Sequence, residues 1–127
     1  MAENSLNASP VKRRAMRMTE AQLQKQICMY LAVALKKTAW FSTFPADRAS
    51  SRGKIGLKLG VPDILIIHDG RAYWLEIKLP GKKVRDTQAE THLSLMFAGS
   101  PVEVVYELID VVRALQYWQI PTNPVRL

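Results

Sequence analysis

The sequence predicts a single α/β domain in which a mixed central sheet is flanked by helices. The elements run helix, strand, strand, strand, helix, strand, helix. Three observations lead there. A run with apolar residues at helical spacing lies near the start, and another closes the chain. Between them, two apolar strand-like runs flank Asp69-Gly70, the strongest short-range hairpin signal. The chain has 127 residues, 48% of them hydrophobic, which suits one globular core and not a disordered segment.

In chain order, 1–17 reads as a flexible tail made basic by Lys12, Arg13, Arg14 and Arg17, and the domain spans 18–120. Residues 19–37 read as an amphipathic helix. Thr19 and Gln22 match a capping box, in which each side chain satisfies an amide at the helix start. Leu23, Ile27, Leu31 and Ala34 form its inward stripe. Glu20 falls on the inward side of the first turn, where an acid complements the helix dipole. Residues 39–44 are aromatic and β-branched, a first strand ended by Pro45.

The loop that follows holds Arg48, Arg52, Lys54 and Lys58 among its glycines. Glycine lets backbone approach a ligand, and Arg or Lys can neutralise phosphates. It is not a phosphate-binding P-loop, because no G-x-x-x-x-G-K-[ST] is present. It leads straight into Asp63 and reads as a substrate-contacting loop.

The hairpin carries the chemistry. A two-residue Asp69-Gly70 turn pairs His68 with Arg71 and places Asp63 opposite Glu76. Lys78 lies on the same face, two residues on. Opposed residues have Cβ atoms roughly 5 Å apart, and like charges there repel. A divalent cation between the two acids removes the conflict, and hard cations such as Mg²⁺ are held by one or two carboxylates. Pro62 would face Ile77. Lacking an N–H, it leaves the Ile77 carbonyl free to turn toward the ion. Leu65, Ile67 and Trp74 share the face of Asp63 and Glu76, while Ile64, Ile66, Tyr73, Leu75 and Ile77 form the other. Two apolar faces imply a hairpin central in its sheet and covered on both sides. A purely structural trio would be a salt bridge neutralised by Lys78, but desolvation usually offsets such attraction.

Residues 79–85 form a turn carrying Lys82, Lys83 and Arg85, a plausible phosphate path or a solvated loop. Thr87, with Glu90 three residues later, reads as the cap of the next helix, and Gly99 as its end. Gln88 then opens that helix, where an amide can steady a phosphate or a water. His92 lies one turn later on the same side, and a lone histidine there reads first as packed or exposed. Residues 102–106 form the last strand and 108–118 the closing helix, packed through Leu108, Val111, Val112 and Leu115. A short tail, 121–127, follows.

The net charge is +7, which favours an anionic partner, nucleic acid being the common one. Cys28 is the only cysteine, so no internal disulfide can form and a reducing compartment is expected. With two histidines, His68 and His92, ligands for structural zinc are too few. No apolar run is long enough to span a membrane, and residues 1–10 lack the apolar core of a signal peptide. The expected location is cytoplasmic or nucleoid-associated.

Taken together, G-V-P-D at 60–63, E-I-K at 76–78 and glutamine at 88 resemble the virus-type replication-repair nuclease (VRR-NUC) branch of the PD-(D/E)XK superfamily. The likeness spans roughly residues 18 to 118. It implies a restriction-endonuclease-like fold and a DNA endonuclease that uses Mg²⁺ or Mn²⁺ and no organic cofactor. Asp63, Glu76, Lys78 and Gln88 would be catalytic, and Glu20, Asp63, Glu76 and the Ile77 carbonyl would hold the metal. The resemblance is what brings Glu20 and Gln88 into the site. It also implies branched DNA as substrate, with small members similar to homodimeric four-way-junction resolvases. The alternatives are a non-cleaving DNA-binding module of the same fold, a flap or repair nuclease, and an RNA nuclease.

Overall fold

The computed structural model describes residues 18–44 and 55–127. The basic segment 1–17 and the loop cations Arg48, Arg52 and Lys54 lie outside the described residues. Helix α1 (Glu20–Ala34) begins as its sequence dictates. The Gln22 amide donates to Thr19 Oγ1 at 3.1 Å, and the Thr19 amide donates to Gln22 Oε1 at 2.9 Å. It ends at Ala34 and not at Lys37, because Leu35 turns extended and bridges to Thr122. The Asn123 amide donates to the Ala34 carbonyl and its side chain to that of Val33. Those carbonyls lack helical partners, and a polar residue from the chain end satisfies them. Segment 121–127, read as a tail, is therefore tied to α1.

Strands β1 (Ala39–Thr43), β2 (Ile64–His68), β3 (Arg71–Ile77) and β4 (Val102–Val105) form one sheet in the order β1-β2-β3-β4. The first two pairings are antiparallel and β3–β4 is parallel, so the sheet is mixed. Helix α2 (Asp86–Phe97) makes the crossover from β3 to β4, and helix α3 (Leu108–Tyr117) follows β4. The hairpin register is the expected one. His68 pairs with Arg71, and Ile64 with Leu75. Asp69 and Gly70 have φ of 51° and 74°, the doubly positive pair that a type I′ turn requires.

The hairpin is central, with β1 and β4 outside it. One face buries Ile64, Ile66, Tyr73, Leu75 and Ile77 against Leu23, Ile27 and Leu31 of α1 and Val111 and Leu115 of α3. The other face is covered only in part, which corrects the expectation of cover on both sides. Helix α2 reaches this face at Glu76. Toward the turn, Ile67 is 39% exposed and Trp40 of β1 is 56% exposed. The reason lies in α2, which crosses at the β3–β4 side and leaves β1 and β2 open. No helix among the described residues is long and apolar enough to cross a membrane.

Gly60 sets where α2 sits. Its φ is +75°, and a Cβ there would lie 2.6 Å from the Thr87 carbonyl oxygen and 3.0 Å from Gln88 Cα. Both neighbours are backbone and cannot step aside. The Thr91 hydroxyl donates to the Leu59 carbonyl at 2.6 Å and fixes the same contact. Gly60→Ala is expected to cost about 2 kcal/mol or more, from the left-handed backbone and the clash together. A thermal melt checks this. A variant as stable as the wild type would show that the loop can move away from α2.

Candidate functional site

The site lies where β2 and β3 leave their ladder. Regular pairing ends at Ile64–Leu75, and Asp63 follows on the side away from the turn. Here the side chain takes over from the backbone. Asp63 Oδ2 accepts the Ile77 amide at 2.7 Å. This is a short, charge-assisted bond. It holds one end of the Asp63 carboxylate. The Pro62 carbonyl, expected across from Ile77, does not receive that amide.

Glu76 lies beside Asp63, as the register demands, and is only 1% exposed. Both of its oxygens are held by α2. Gln88 Nε2 donates to Oε2 at 3.2 Å, and His92 Nε2 lies 3.3 Å from Oε1. Burial pushes the Glu76 carboxyl up to about 8. The charge of Asp63 and a hydrogen bond with it push the same way; Lys78 opposes them, and Glu20 adds a further push. A carboxyl held that high keeps its proton at neutral pH, because a second negative charge next to Asp63 at a buried position is costly. That proton occupies ground a cation would take. The donor set is hard oxygen, which fits Mg²⁺ or Mn²⁺.

Lys78 is 6% exposed, on the backbone just beyond β3, with its amide bonded to the Val105 carbonyl. Its charge acts on both Glu76 and His92. Among the described residues it forms no ion pair with either acid; the pair present is His92–Glu76. Lys78 thus favours the charged form of Glu76 through space without a direct ion pair. His92, 6% exposed, has its pKa held below the usual 6.5, chiefly by burial and then by Lys78, with Asp63 opposing. A neutral ring carrying its hydrogen on Nε2 is the tautomer that satisfies ionised Glu76.

Glu20 opens α1, is exposed, and acts on Glu76 through its charge. Among the described residues no three His, Cys, Asp or Glu side chains are grouped to hold an ion. The side chains that meet here are the two carboxylates of Asp63 and Glu76, with the backbone of Ile77 next to them. Lys58, Lys82, Lys83 and Arg85 are exposed. The Gly60–Thr87 contact brings Lys58 and Arg85 to the same end of α2. Lys82 lines a groove of about 810 Å³ with Met18, Gln26, Leu79 and Tyr106.

Two expectations about α2 change. Its N-cap is Arg85, not Thr87, so Gln88 is the third helical residue rather than the first. Gln88 Oε1 accepts the Arg85 amide at 3.0 Å, the usual task of glutamine at that position. Its amide nitrogen is thereby turned to Glu76 and not to a solvent anion. His92, read from the sequence as packed or exposed on the side of Gln88, is buried and touches the central acid. The signal was present in its spacing of four from Gln88, which puts both on one face.

No family model matches the sequence, and no curated protein does. Among solved structures, the chain is similar to one described as a VRR_NUC domain protein, with a TM-score of 0.65 and 19% identity. The likeness covers 83% of this chain and 92% of the other. The chain is built on the fold of that VRR_NUC domain protein, with Asp63, Glu76 and Lys78 gathered at one end of its central hairpin.

Proposed function

We propose that the protein is a divalent-metal-dependent DNA endonuclease that acts on branched DNA as a homodimer. The observation that carries this is the meeting of the Asp63 and Glu76 carboxyls, largely out of solvent, beside an ammonium that pairs with neither. The description of the structural neighbour as a VRR_NUC domain protein supports the nuclease class, and the net charge of +7 supports a nucleic-acid partner.

Asp63 Oδ1, a Glu76 oxygen and the Ile77 carbonyl would hold Mg²⁺ or Mn²⁺. Glu20 adds negative charge from α1 and would be a further protein ligand or neighbour of the ion. The bound ion supplies Lewis acidity, lowering the pKa of water and offsetting charge on the phosphate and leaving oxygen. Lys78 orients the attacking water and steadies negative charge as it develops. Gln88 keeps Glu76 in place. The exposed Lys58, Lys82, Lys83 and Arg85 would hold the phosphate backbone, with Arg48, Arg52 and Lys54 expected to join them. Symmetric cutting of two strands calls for two such sites about a two-fold axis.

The test uses labelled duplex, flap and four-way-junction DNA, and matching RNA, with Mg²⁺, Mn²⁺ or EDTA. Junction DNA is expected to be cut, in metal only. Lys78→Ala should still bind DNA and Mn²⁺ yet cut more slowly by about 10²–10⁴-fold. Binding by both proteins without cleavage would instead indicate a DNA-binding module, and cleavage of RNA alone an RNA nuclease.

A further inference from the structure

Helix α2 is turned the wrong way round for a helix that packs by its apolar side. Its Leu93, Met96 and Phe97 are 53%, 47% and 90% exposed, and its one buried residue is His92. A surface helix ordinarily directs its apolar stripe inward and its polar face outward. Here burial of apolar area does not set the orientation. The inward contacts of α2 are polar: Gln88 on Glu76 Oε2, His92 on Glu76 Oε1, and Thr91 on the Leu59 carbonyl.

We propose that His92 is a positioning residue which, with Gln88 one helical turn before it, grips both oxygens of the Glu76 carboxylate and fixes the edge this acid presents to the cation. The inference rests on the metal-site reading above. A carboxylate has about four lone-pair positions on its two oxygens. One donor on each oxygen leaves a position on each for the ion and stops rotation about the last side-chain bond. Residues four apart on a helix lie one above the other, so a single helix can supply both donors. Gln88 is itself locked by the Arg85 amide, and α2 by the close seat of Gly60. Asp63 is treated alike, with one oxygen tied to the Ile77 amide. Asp63 thus has one oxygen tied to protein, and Glu76 has one polar contact on each oxygen. Donors behind a metal-binding carboxylate set its orientation, and their loss weakens metal affinity.

Mn²⁺ binding is measured by calorimetry and by electron paramagnetic resonance on the full chain and on His92→Gln, His92→Asn and His92→Leu, each checked for folding by circular dichroism. Glutamine reaches about as far as the imidazole Nε2 and keeps a donor there; asparagine is polar but short; leucine has none. The Leu and Asn variants should lose about 10–100-fold in Mn²⁺ affinity, while Gln stays within about threefold. In cleavage assays the same loss should appear as a higher Mn²⁺ requirement, with KM for DNA unchanged. A folded His92→Leu or His92→Asn protein with wild-type affinity overturns the proposal. So does a Gln variant as weak as Asn, since ring packing would then be the cause. If the wild type itself binds no Mn²⁺, the metal-site reading has failed first, and the role of His92 falls with it.

Discussion

Asp63→Asn is expected to abolish DNA cleavage while raising the stability of the metal-free protein. The two effects have one cause. Asparagine keeps an oxygen that can accept the Ile77 amide, now held at 2.7 Å, so the strand end stays closed. What disappears is a negative charge beside a buried acid. In the wild type that charge helps hold the Glu76 carboxyl far above its ordinary range. Without it Glu76 ionises more easily, opposed only by burial and Glu20 and helped by Lys78. The folded state is relieved, and a rise in Tm of a few degrees is expected near pH 8, on the order of 1 kcal/mol for a domain of this size.

The ion loses one of its two carboxylates in the same variant. Cleavage should fall by about a thousandfold or more, equivalent to ~4 kcal/mol of transition-state stabilisation. Calorimetric Tm in EDTA and junction cleavage in Mn²⁺ are the paired measurements. A variant that is inactive but less stable would mean that Asp63 chiefly holds the hairpin together. A variant that stays active would remove Asp63 from the site altogether.

How much of this was legible beforehand depended on the range of the interactions. Asp69-Gly70 dictates a local backbone shape, and from it the register follows by counting; that is why Asp63 and Glu76 could be placed together from sequence. Thr19 and Gln22 are likewise three residues apart and cap α1 as expected. The parts that sequence left hidden join distant residues through a third dimension. Asn123 caps the end of α1 from 90 positions away. His92 meets Glu76 across 16 positions, and Gly60 meets Thr87 across the whole β2–β3 hairpin. The helix α2 misled for a further reason. Its apolar residues invite burial, yet the side turned inward is the one that carries Gln88 and His92 to the Glu76 carboxylate. The start of α2 was also shifted, because Thr87 and Glu90 match a capping pattern that Arg85 and Gln88 occupy instead.

The pH dependence of the metal-free protein carries the second large effect. Glu76 has a folded pKa of about 8 against an ordinary 4.5. The folded state thus binds the proton more tightly than the unfolded chain. Stability from this group is complete below about pH 4.5, declines as pH rises, and is gone above about 8. His92 acts in the opposite sense. Its folded pKa lies below 6.5, so it costs stability as pH falls through that value. The two trends separate between pH 6.5 and 8.5, where His92 is already neutral and Glu76 still titrates. In EDTA, Tm should fall across this window, and Glu76→Gln should flatten the fall. Mn²⁺ should reverse it, because the ion takes the place of the Glu76 proton. If one proton is displaced, Mn²⁺ affinity should weaken about tenfold for each pH unit below 8. Calorimetry in two buffers of different ionisation enthalpy counts the released protons directly. A flat melting profile in EDTA, or Mn²⁺ binding with no proton release, would mean that Glu76 is already ionised beside Asp63 and that no cation is needed to reconcile them.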